Sequence, residues 1–201
     1  MTQPQQERTD QELARESRAG SLVAFEELVF RYEKRIYSFL CSKAPNPSDA
    51  EDLLQQVFIK AFRNIARYNG TYAFYTWLLA IARREVAGFY RSWHGQPVEY
   101  EGELAADERD PARELDGRDQ GEFIWQLAKQ TLPDAQYTAL LLVYREELSV
   151  KDAARVMKRT VSSVKVLLFR ARKKLAATCR LESDAQNGGV VPMEDSPCFV
   201  S

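Results

Sequence analysis

The sequence predicts an all-α protein made of two small helical domains that an acidic, flexible linker joins. The first observation behind this prediction is that apolar residues recur at helical spacing through most of the chain. The second is an acidic stretch from Glu99 to Glu122 that lacks this periodicity. The third is an excess of bases after that stretch, although the net charge is only -1. We therefore predict domains at residues 10–94 and 122–180, a linker at 95–121 and a disordered tail at 181–201.

The N-terminal half carries the most regular helix pattern. Gly20 is expected to end a short first helix, because glycine is favoured just after a helix. An apolar stripe follows up to Leu40, and we read Cys41 as a buried apolar residue. Ser48 and Glu51 have capping-box spacing, so the next helix is predicted to begin at Ser48. Its apolar stripe consists of Ala50, Leu53, Leu54, Val57, Phe58, Ala61, Phe62 and Ile65.

A break at Asn69-Gly70 separates that helix from the last one of the N-terminal half. Helical spacing resumes at Phe74 and continues to about Trp93. From Gly95 to Gly121, glycine, proline and many acids occur with little periodicity, which is typical of a linker.

After the linker the pattern predicts helices that end in a helix-turn-helix. They are predicted over Phe123–Thr131, from near Pro133, from Ser149 to near Met157, and from Thr160 onward. Ser149 and Thr160 are the predicted N-caps of the last two. Two helices separated by a short turn have the layout in which the second helix can enter a DNA major groove.

The helix after Thr160 is both amphipathic and basic. One face is apolar and consists of Val161, Val164, Leu168, Ala171 and Leu175. From Val150 to Leu181, bases outnumber the one acid, Asp152, by ten to one. Such a charge excess is typical of nucleic-acid binding, although a solvated helix face has the same pattern.

Composition argues against several classes of protein. No apolar run approaches the ~18 residues of a membrane span, and the N-terminus lacks a signal-peptide segment, so we expect a cytoplasmic protein without stable membrane insertion. Three cysteines without a CxxC pair indicate neither a disulfide framework nor a zinc site. The chain has one histidine, His94, and neither a nucleophile–base arrangement nor a Gly-rich phosphate loop. We therefore expect no enzymatic activity and no cofactor.

Segments in both halves resemble the extracytoplasmic-function group of bacterial sigma factors. SDAEDLLQQVFIKAFRNI and YTWLLAIARREVAGFYR look like the second conserved region of that family. LPDAQYTALLLVYREELSVKDAARVMKRTVSSVKVLLFRARKKL resembles its fourth region, the promoter-reading helix-turn-helix. The resemblance implies a protein that binds core RNA polymerase, recognises promoter DNA and opens it. An inhibitory partner, an anti-sigma factor, is implied by the resemblance alone.

The resemblance assigns two surfaces to the N-terminal domain. The polar face of the helix after Ser48 is expected to dock on the polymerase through Asp49, Asp52, Gln55, Gln56, Lys60 and Arg63. The next segment is rich in aromatic residues and arginines, which suits single-stranded DNA because rings stack on unpaired bases while arginines follow the phosphates. The expected minus-ten contacts are Asn69, Tyr72, Tyr75, Arg83, Arg84 and Arg91. Phe74 and Trp77 are instead expected in the core.

The basic helix is expected to read a double-stranded minus-thirty-five element. Its expected contacts are Thr160, Ser162, Ser163, Lys165, Val166, Arg170, Arg172 and Lys173. Thr160, Ser162, Ser163 and Lys165, at the N-terminal end of the helix, would approach bases and phosphates. Arg170, Arg172 and Lys173 would hold the DNA backbone farther along. Val166-Leu167 stands where the family usually has Ser-Arg, so we expect Val166 to pack on a thymine methyl or to make no contact.

The chain departs from the family pattern at other positions too. Arg84 and Gly88 replace the usual Asn and Asp, whose hydrogen-bonding roles cannot be transferred. Lys158 stands where the helix-turn-helix often has glycine, so its backbone would be mildly strained if the turn requires a positive φ.

Two alternatives remain open from the sequence. One is an autonomous helix-turn-helix regulator whose N-terminal half is a sensor or dimerisation bundle. The other is a helical adaptor protein whose basic end is merely solvated. A sigma factor would bind core polymerase tightly and DNA only weakly on its own, whereas a regulator would bind a duplex as a dimer without polymerase.

Overall fold

The computed structural model describes residues 8–94 and 120–187, and this part of the chain is helical without strands. The N-terminal bundle consists of α1 (Asp10–Arg18), α2 (Leu22–Cys41), α3 (Pro47–Asn64) and α4 (Phe74–His94). The C-terminal bundle consists of α5 (Gln120–Thr131), α6 (Asp134–Leu140), α7 (Val150–Met157) and α8 (Val161–Asn187). A 3-10 turn, Ile65–Arg67, follows α3, and a π-helical turn, Leu141–Arg145, follows α6. The all-α prediction is therefore confirmed.

The start of α3 differs from the prediction. The Asn46 side chain, not Ser48, is the N-cap and accepts a hydrogen bond from the backbone N–H of Asp49 at 2.9 Å. Pro47 occupies the first helical position, where its missing N–H costs nothing. The predicted capping box of Ser48 and Glu51 is wrong because an asparagine followed by proline starts the helix earlier.

Local caps elsewhere agree with the sequence. The Ser149 hydroxyl accepts the backbone N–H of Asp152 at 3.1 Å at the start of α7. The Thr160 hydroxyl accepts the backbone N–H of Ser163 at 3.2 Å at the start of α8. Lys158, the C-cap residue that follows α7, has φ 53° and ψ 42°, so the turn of the helix-turn-helix does require the left-handed conformation.

Each bundle is organised around apolar side chains that are fully or almost fully buried. Those of the N-terminal bundle include Leu28, Ile36, Phe39, Leu40, Phe74, Leu78 and Leu79. Those of the C-terminal bundle include Leu141, Leu142, Val156, Val164, Leu168 and Ala171. Phe74 and Trp77 lie in the core as expected, 1% and 8% exposed.

Three side chains predicted to be buried are exposed. Cys41 is exposed at the last residue of α2, because a helix end is covered less than its middle. Phe62 and Val161 are 43% and 39% exposed, although both have the spacing of an apolar stripe. A stripe is buried only as far as neighbouring helices cover it, and that coverage is not encoded locally.

The predicted domain boundaries need adjustment at two places. Helix α5 begins at Gln120, inside the predicted linker, and α8 remains helical to Asn187, inside the predicted disordered tail. Residues 95–119 and 188–201, which hold the rest of that linker and tail, lie outside the described residues.

Candidate nucleic-acid interface

Helix α8 turns its predicted DNA-reading residues to solvent. Val164, Leu168 and Ala171 are buried against the rest of the C-terminal bundle, at most 4% exposed. The opposite side of α8 consists of exposed residues, which include Thr160, Ser162, Lys165, Val166, Arg170, Arg172 and Lys173, while Ser163 is partly buried. The helix therefore presents a basic, uncovered face of the size that a major groove admits.

An apolar pair interrupts this basic face. Val166 is 47% exposed, as the sequence indicated. Phe169 is 63% exposed and lies three residues farther along α8, next to Arg170. Sequence reasoning missed Phe169, although an aromatic residue outside the apolar stripe of a basic helix was a signal for it.

The loop before α4 is a tight turn with one polar residue at its tip. Asn69 accepts hydrogen bonds from the backbone N–H and the hydroxyl of Thr71, at 3.1 and 2.7 Å. Gly70 has φ 73°, which a residue without Cβ adopts freely. The Tyr68 hydroxyl donates to the backbone oxygen of Tyr72 at 2.9 Å and fixes the far side of the loop. Asn69 is exposed and Tyr72 is partly buried.

Tyr75 is not exposed, contrary to what a DNA contact needs. It is 5% exposed and stacks on Tyr32, with ring centroids 5.4 Å apart and planes at 14°. The guanidinium of Arg35 covers its ring at 4.0 Å. Its hydroxyl donates a hydrogen bond to Glu146 of the C-terminal bundle. In this conformation Tyr75 cannot touch a base.

The arginines of α4 differ in their exposure. Arg84 and Arg91 are exposed, and Arg83 is partly buried. The Arg84 side chain donates to the backbone oxygen of Ala80 at 2.9 Å, which directs it along the helix. Arg84 and Arg91 are therefore the α4 cations that are open to a phosphate backbone in this conformation.

Helix α3 combines a polar face with an apolar groove. Of the predicted polymerase contacts, Asp52, Gln55, Gln56, Lys60 and Arg63 are exposed and Asp49 is partly buried. Lys60 pairs with Glu85 of α4 at 2.5 Å. Beside this face lies a groove of about 420 Å³ lined by Phe25, Phe58, Ile59, Phe62 and Arg63.

Sequence reasoning missed the groove. Ile59 and Phe62 are 42% and 43% exposed at its edge. The Phe62 ring meets the Phe25 ring edge-on, with centroids 5.0 Å apart. Ile59 was the available signal, because an isoleucine next to Lys60 does not belong to the apolar stripe.

The two bundles pack together along an interface that we call the seam. Helix α7 lies against α4, and the apolar residues of both bundles form one continuous cluster. The seam also holds buried polar side chains. The ammonium of Lys43 pairs with the carboxylate of Asp134 and donates to the Thr138 hydroxyl at 2.7 Å. The second polar contact is the one between Tyr75 and Glu146.

Burial shifts the protonation of the groups in the seam. It raises the pKa of the Glu146 carboxyl, against the opposing effects of the Tyr75 hydroxyl and Arg35. It also raises the pKa of Tyr75. Burial lowers the pKa of the Lys43 ammonium, although Asp134 opposes this. The shifts of Glu146 and Lys43 both favour the neutral form, as expected for charges removed from water.

The described residues contain neither a candidate metal site nor a candidate membrane span. Within residues 8–94 and 120–187, no cluster of histidine, cysteine and acidic side chains is arranged to hold a metal ion. In the same parts of the chain, no helix has the length and apolar character needed to cross a bilayer.

Comparison with known proteins places both bundles in one family. The family model for Sigma-70 region 2 matches residues 28–94, and that for Sigma-70, region 4 matches residues 123–175. The chain is 31% identical to the RNA polymerase sigma-H factor of Pseudomonas aeruginosa, over 83% of this chain and 91% of that protein. It is 32% identical to the ECF RNA polymerase sigma-E factor of Haemophilus influenzae, over 83% of this chain and 93% of that protein.

Solved structures share the fold. CnrH, solved in complex with the cytosolic domain of CnrY, matches with a TM-score of 0.63 at 22% identity, over 87% of this chain and 98% of that one. The sigma factor RpoE of Bartonella quintana, solved in complex with the anti-sigma factor NepR, matches with a TM-score of 0.58 at 23% identity, over 78% of this chain and 96% of that one.

Proposed function

The chain belongs to the extracytoplasmic-function group of the sigma-70 family of RNA polymerase sigma factors, and we propose that it binds core polymerase through α3, opens promoter DNA with the α4 region and reads the minus-thirty-five element with α8. The observation that carries this assignment is the uncovered basic face of α8 in a chain that also contains a region 2 bundle. Neither feature alone requires a sigma factor, but a regulator or an adaptor has no need for both.

The proposed polymerase surface has the composition of a protein interface. Specific interfaces have apolar anchors at the centre and a polar rim, and the anchors carry most of the binding energy. Ile59 and Phe62, at the edge of the groove, would be the apolar anchors of this interface, and the groove would be its central pocket. The polar face of α3 would form the surrounding polar rim. This proposal adds an apolar centre to the charged contacts expected from the sequence.

The proposed minus-ten surface consists of the Asn69 loop and the arginines of α4. Arg84 and Arg91 would follow the phosphates of the unpaired strand, and Asn69 would meet a base at the loop tip. Tyr72 would stack on a base once Arg155 of the C-terminal bundle has moved away. Tyr75 would also have to leave Tyr32 and Arg35 of its own bundle. Arg83 is partly buried and would contribute least.

The proposed minus-thirty-five surface combines base contacts with phosphate contacts. Ser162, Ser163 and Lys165 lie at the N-terminal end of α8, the part of a recognition helix that meets base edges. Arg170, Arg172 and Lys173 would neutralise phosphates, which makes the affinity depend on salt. Val166 and Phe169 offer apolar contacts for thymine methyl groups.

We also propose that the protein is not an enzyme and acts in the cytoplasm. Promoter opening can be driven by binding alone, if the protein binds the unpaired strand more tightly than the duplex. One structure of the same fold was solved with the anti-sigma factor NepR, and another with the cytosolic domain of CnrY. These complexes support an anti-sigma factor as a further partner here.

Run-off transcription tests the proposal. Purified protein is added to core polymerase over a promoter library, and transcripts are sequenced. We expect promoter-specific transcripts that share two elements, and none from core polymerase alone. Tight binding of a palindromic duplex by a dimer, together with no transcripts, would favour an autonomous regulator instead.

A matched pair of variants connects the result to α8. Lys173→Ala on the exposed face should reduce transcription, whereas Lys151→Ala on α7 should not, because Lys151 lies outside the assigned surfaces. Equal effects of the two changes would contradict the assignment of α8 as the reader.

A further inference from the structure

We propose that α1 is the positioning element of the minus-ten loop, which we define as residues 68–72. Asp10 and Arg18, the two ends of α1, hold the loop and the start of α4 in the shape that receives an unpaired base, and neither residue contacts DNA. This inference rests on the proposed function, because it concerns the minus-ten surface. The match to Sigma-70 region 2 begins at residue 28, after α1, so the match itself assigns no role to this helix.

The first support joins the end of α1 to the start of the loop. The Arg18 guanidinium donates a hydrogen bond to the backbone oxygen of Tyr68 at 3.3 Å. Tyr68 is 4% exposed, and its hydroxyl in turn donates to the backbone oxygen of Tyr72 at 2.9 Å. Helix α1 also packs on the 3-10 turn that precedes the loop. Arg18 therefore fixes the near end of the loop directly and the far end through Tyr68.

The second support joins the start of α1 to the start of α4. The Asp10 carboxylate accepts a hydrogen bond from the Tyr32 hydroxyl. Burial and this contact raise the pKa of Tyr32, so the hydroxyl remains a donor. The Tyr32 ring stacks on Tyr75 and lies 5.7 Å from the Phe74 ring, centroid to centroid. Phe74 meets the Tyr68 ring edge-on at 5.4 Å, so the second support reaches the residue that the first one holds.

The body of α1 is anchored independently of these two supports. Leu13 and Ala14, in the middle of the helix, are 0% and 1% exposed within the N-terminal bundle. Packing of an apolar face supplies most of the stability of a short helix in a protein. The Arg31 guanidinium also joins Asp10 to Glu27, at 3.0 and 2.5 Å. Removal of either support should therefore loosen the loop and leave α1 folded.

The loop depends on support from outside because its tip has little packing of its own. Asn69 and Thr71 are exposed and bond to each other, and Gly70 between them has φ 73°. A loop that is ordered before it meets its ligand avoids the entropy cost of ordering during binding. The two supports should therefore contribute to the affinity for unpaired DNA without a contact to it.

Hydrogen exchange in the full-length protein measures the order of the loop. Arg18→Met removes the donor to Tyr68 and keeps a long side chain of similar helix propensity. We expect the amides of residues 69–72 to exchange about three- to tenfold faster in this variant, the effect of losing one hydrogen bond. Arg15→Met makes the same change at an exposed position of α1 and should leave the exchange unchanged. Arg18→Lys keeps a donor and should restore most of the protection.

Binding of unpaired DNA gives the functional readout. The probe is a labelled single strand that carries the minus-ten region of a selected promoter, added to each variant in complex with core polymerase. Arg18→Met should bind it about three- to tenfold more weakly, with an unchanged salt slope. Loss of a direct phosphate contact would instead lower the slope by about 0.7. Binding of a minus-thirty-five duplex should stay at the parent level, which shows that the fold is intact.

The Asp10 support has a sharper test, because a simple charge effect predicts the opposite sign. Asp10→Ala removes a negative charge, which by itself favours binding to phosphates. We expect the same probe to bind about three- to tenfold more weakly, because Tyr32 loses its acceptor. Asp10→Asn keeps an acceptor oxygen and should restore most of the affinity, whereas Tyr32→Phe should match Asp10→Ala. Glu26→Ala removes an exposed acid of α2 and should not weaken binding.

Any one of five results would overturn the inference. They are unchanged loop exchange in Arg18→Met, an equal effect of Arg15→Met, a lower salt slope in Arg18→Met, unchanged binding of the single strand in both variants, and tighter binding by Asp10→Ala. Failure of the parent and core polymerase to give transcripts would count against the sigma-factor function instead. In that case the exchange measurement would still decide whether α1 holds the loop.

Discussion

The Tyr75 hydroxyl donates a hydrogen bond to the Glu146 carboxylate across 71 residues of sequence and from one bundle to the other. Arg35 of α2 lies 3.9 Å from the same carboxylate, and the neighbouring Arg145 and Glu147 complete its charged surroundings. A residue expected to touch DNA is thus committed to a contact within the protein. Its ring is covered by Tyr32 and Arg35 of its own bundle, and its hydroxyl contact joins the two bundles.

The first prediction is a pH dependence of the seam. Because the pKa of Glu146 is raised above its ordinary value of 4.5, the closed form prefers the protonated carboxyl. Its contribution to closure is complete below that ordinary value and is lost as the pH rises through the raised pKa. We expect fluorescence energy transfer between two dyes, one on each bundle at Arg67→Cys and Lys174→Cys, to fall as the pH is raised over this window.

Glu146→Gln provides the control for this dependence. The amide can still accept the Tyr75 hydroxyl but does not titrate. Burial lowers the pKa of Lys43, so the contribution of Lys43 to closure is lost as the pH falls. This dependence is opposite to that of Glu146. The difference between the parent and Glu146→Gln therefore isolates Glu146, and identical pH profiles would contradict the assignment.

The second prediction concerns the strained turn at Lys158. Its φ of 53° is unfavourable for a side-chain-bearing residue, and glycine adopts it freely. Lys158→Gly should stabilise the protein by about 0.5–1 kcal/mol, seen as a higher midpoint in thermal unfolding. Lys174→Gly, in the exposed middle of α8, should instead destabilise it by about 1 kcal/mol. A loss of stability at Lys158→Gly would show that the lysine side chain contributes more than the strain costs.

The third prediction concerns the apolar groove on α3. Ile59→Glu places a charge at a position that is 42% exposed, so folding stability should change by less than about 0.5 kcal/mol. Binding to core polymerase should weaken at least about tenfold, because an apolar anchor is lost. Fluorescence anisotropy with labelled protein measures this affinity. Gln130→Glu adds the same charge at an exposed position of α5 and should bind normally, whereas normal binding by Ile59→Glu would exclude the groove from the interface.

The fourth prediction concerns the apolar pair on α8. Val166→Ser and Phe169→Ala should change which bases are preferred in the minus-thirty-five element, at a cost of about 1–3 kcal/mol for the best sequence. Promoter selection from a randomised library, with each variant and core polymerase, measures the preference. Unchanged selections in both variants would mean that the pair does not face the bases.

Lys173→Ala should behave differently in the same selection. Loss of one phosphate contact weakens binding to all sequences alike and lowers the salt slope by about 0.9. The selected sequences should therefore stay the same while the yield falls. A changed base preference in this variant would show that Lys173 contacts the bases and not the phosphates.

The sequence predicted what depends on neighbouring residues. The caps at Ser149 and Thr160, the turn at Lys158 and the buried side of α8 all follow from spacing within about a turn of helix. The start of α3 was missed because two capping patterns overlap there, and Asn46-Pro47 prevails over Ser48.

Features that depend on distant packing were not accessible from the sequence. Tyr75 has the same aromatic character whether it faces solvent or the protein interior, and its burial is decided by tertiary contacts with Tyr32, Arg35 and Glu146. Phe62 has helical apolar spacing, yet no neighbouring helix covers it fully. The apolar groove and the seam are both products of tertiary contacts.

The most direct test of the central claim is permanganate footprinting of a promoter taken from the selected library. Unpaired thymines react with permanganate, so reactivity reports strand opening. With core polymerase and this protein, and without nucleoside triphosphates, we expect reactive thymines around the minus-ten element. Fully protected thymines, or opening that requires ATP, would contradict a sigma factor that opens DNA by binding alone.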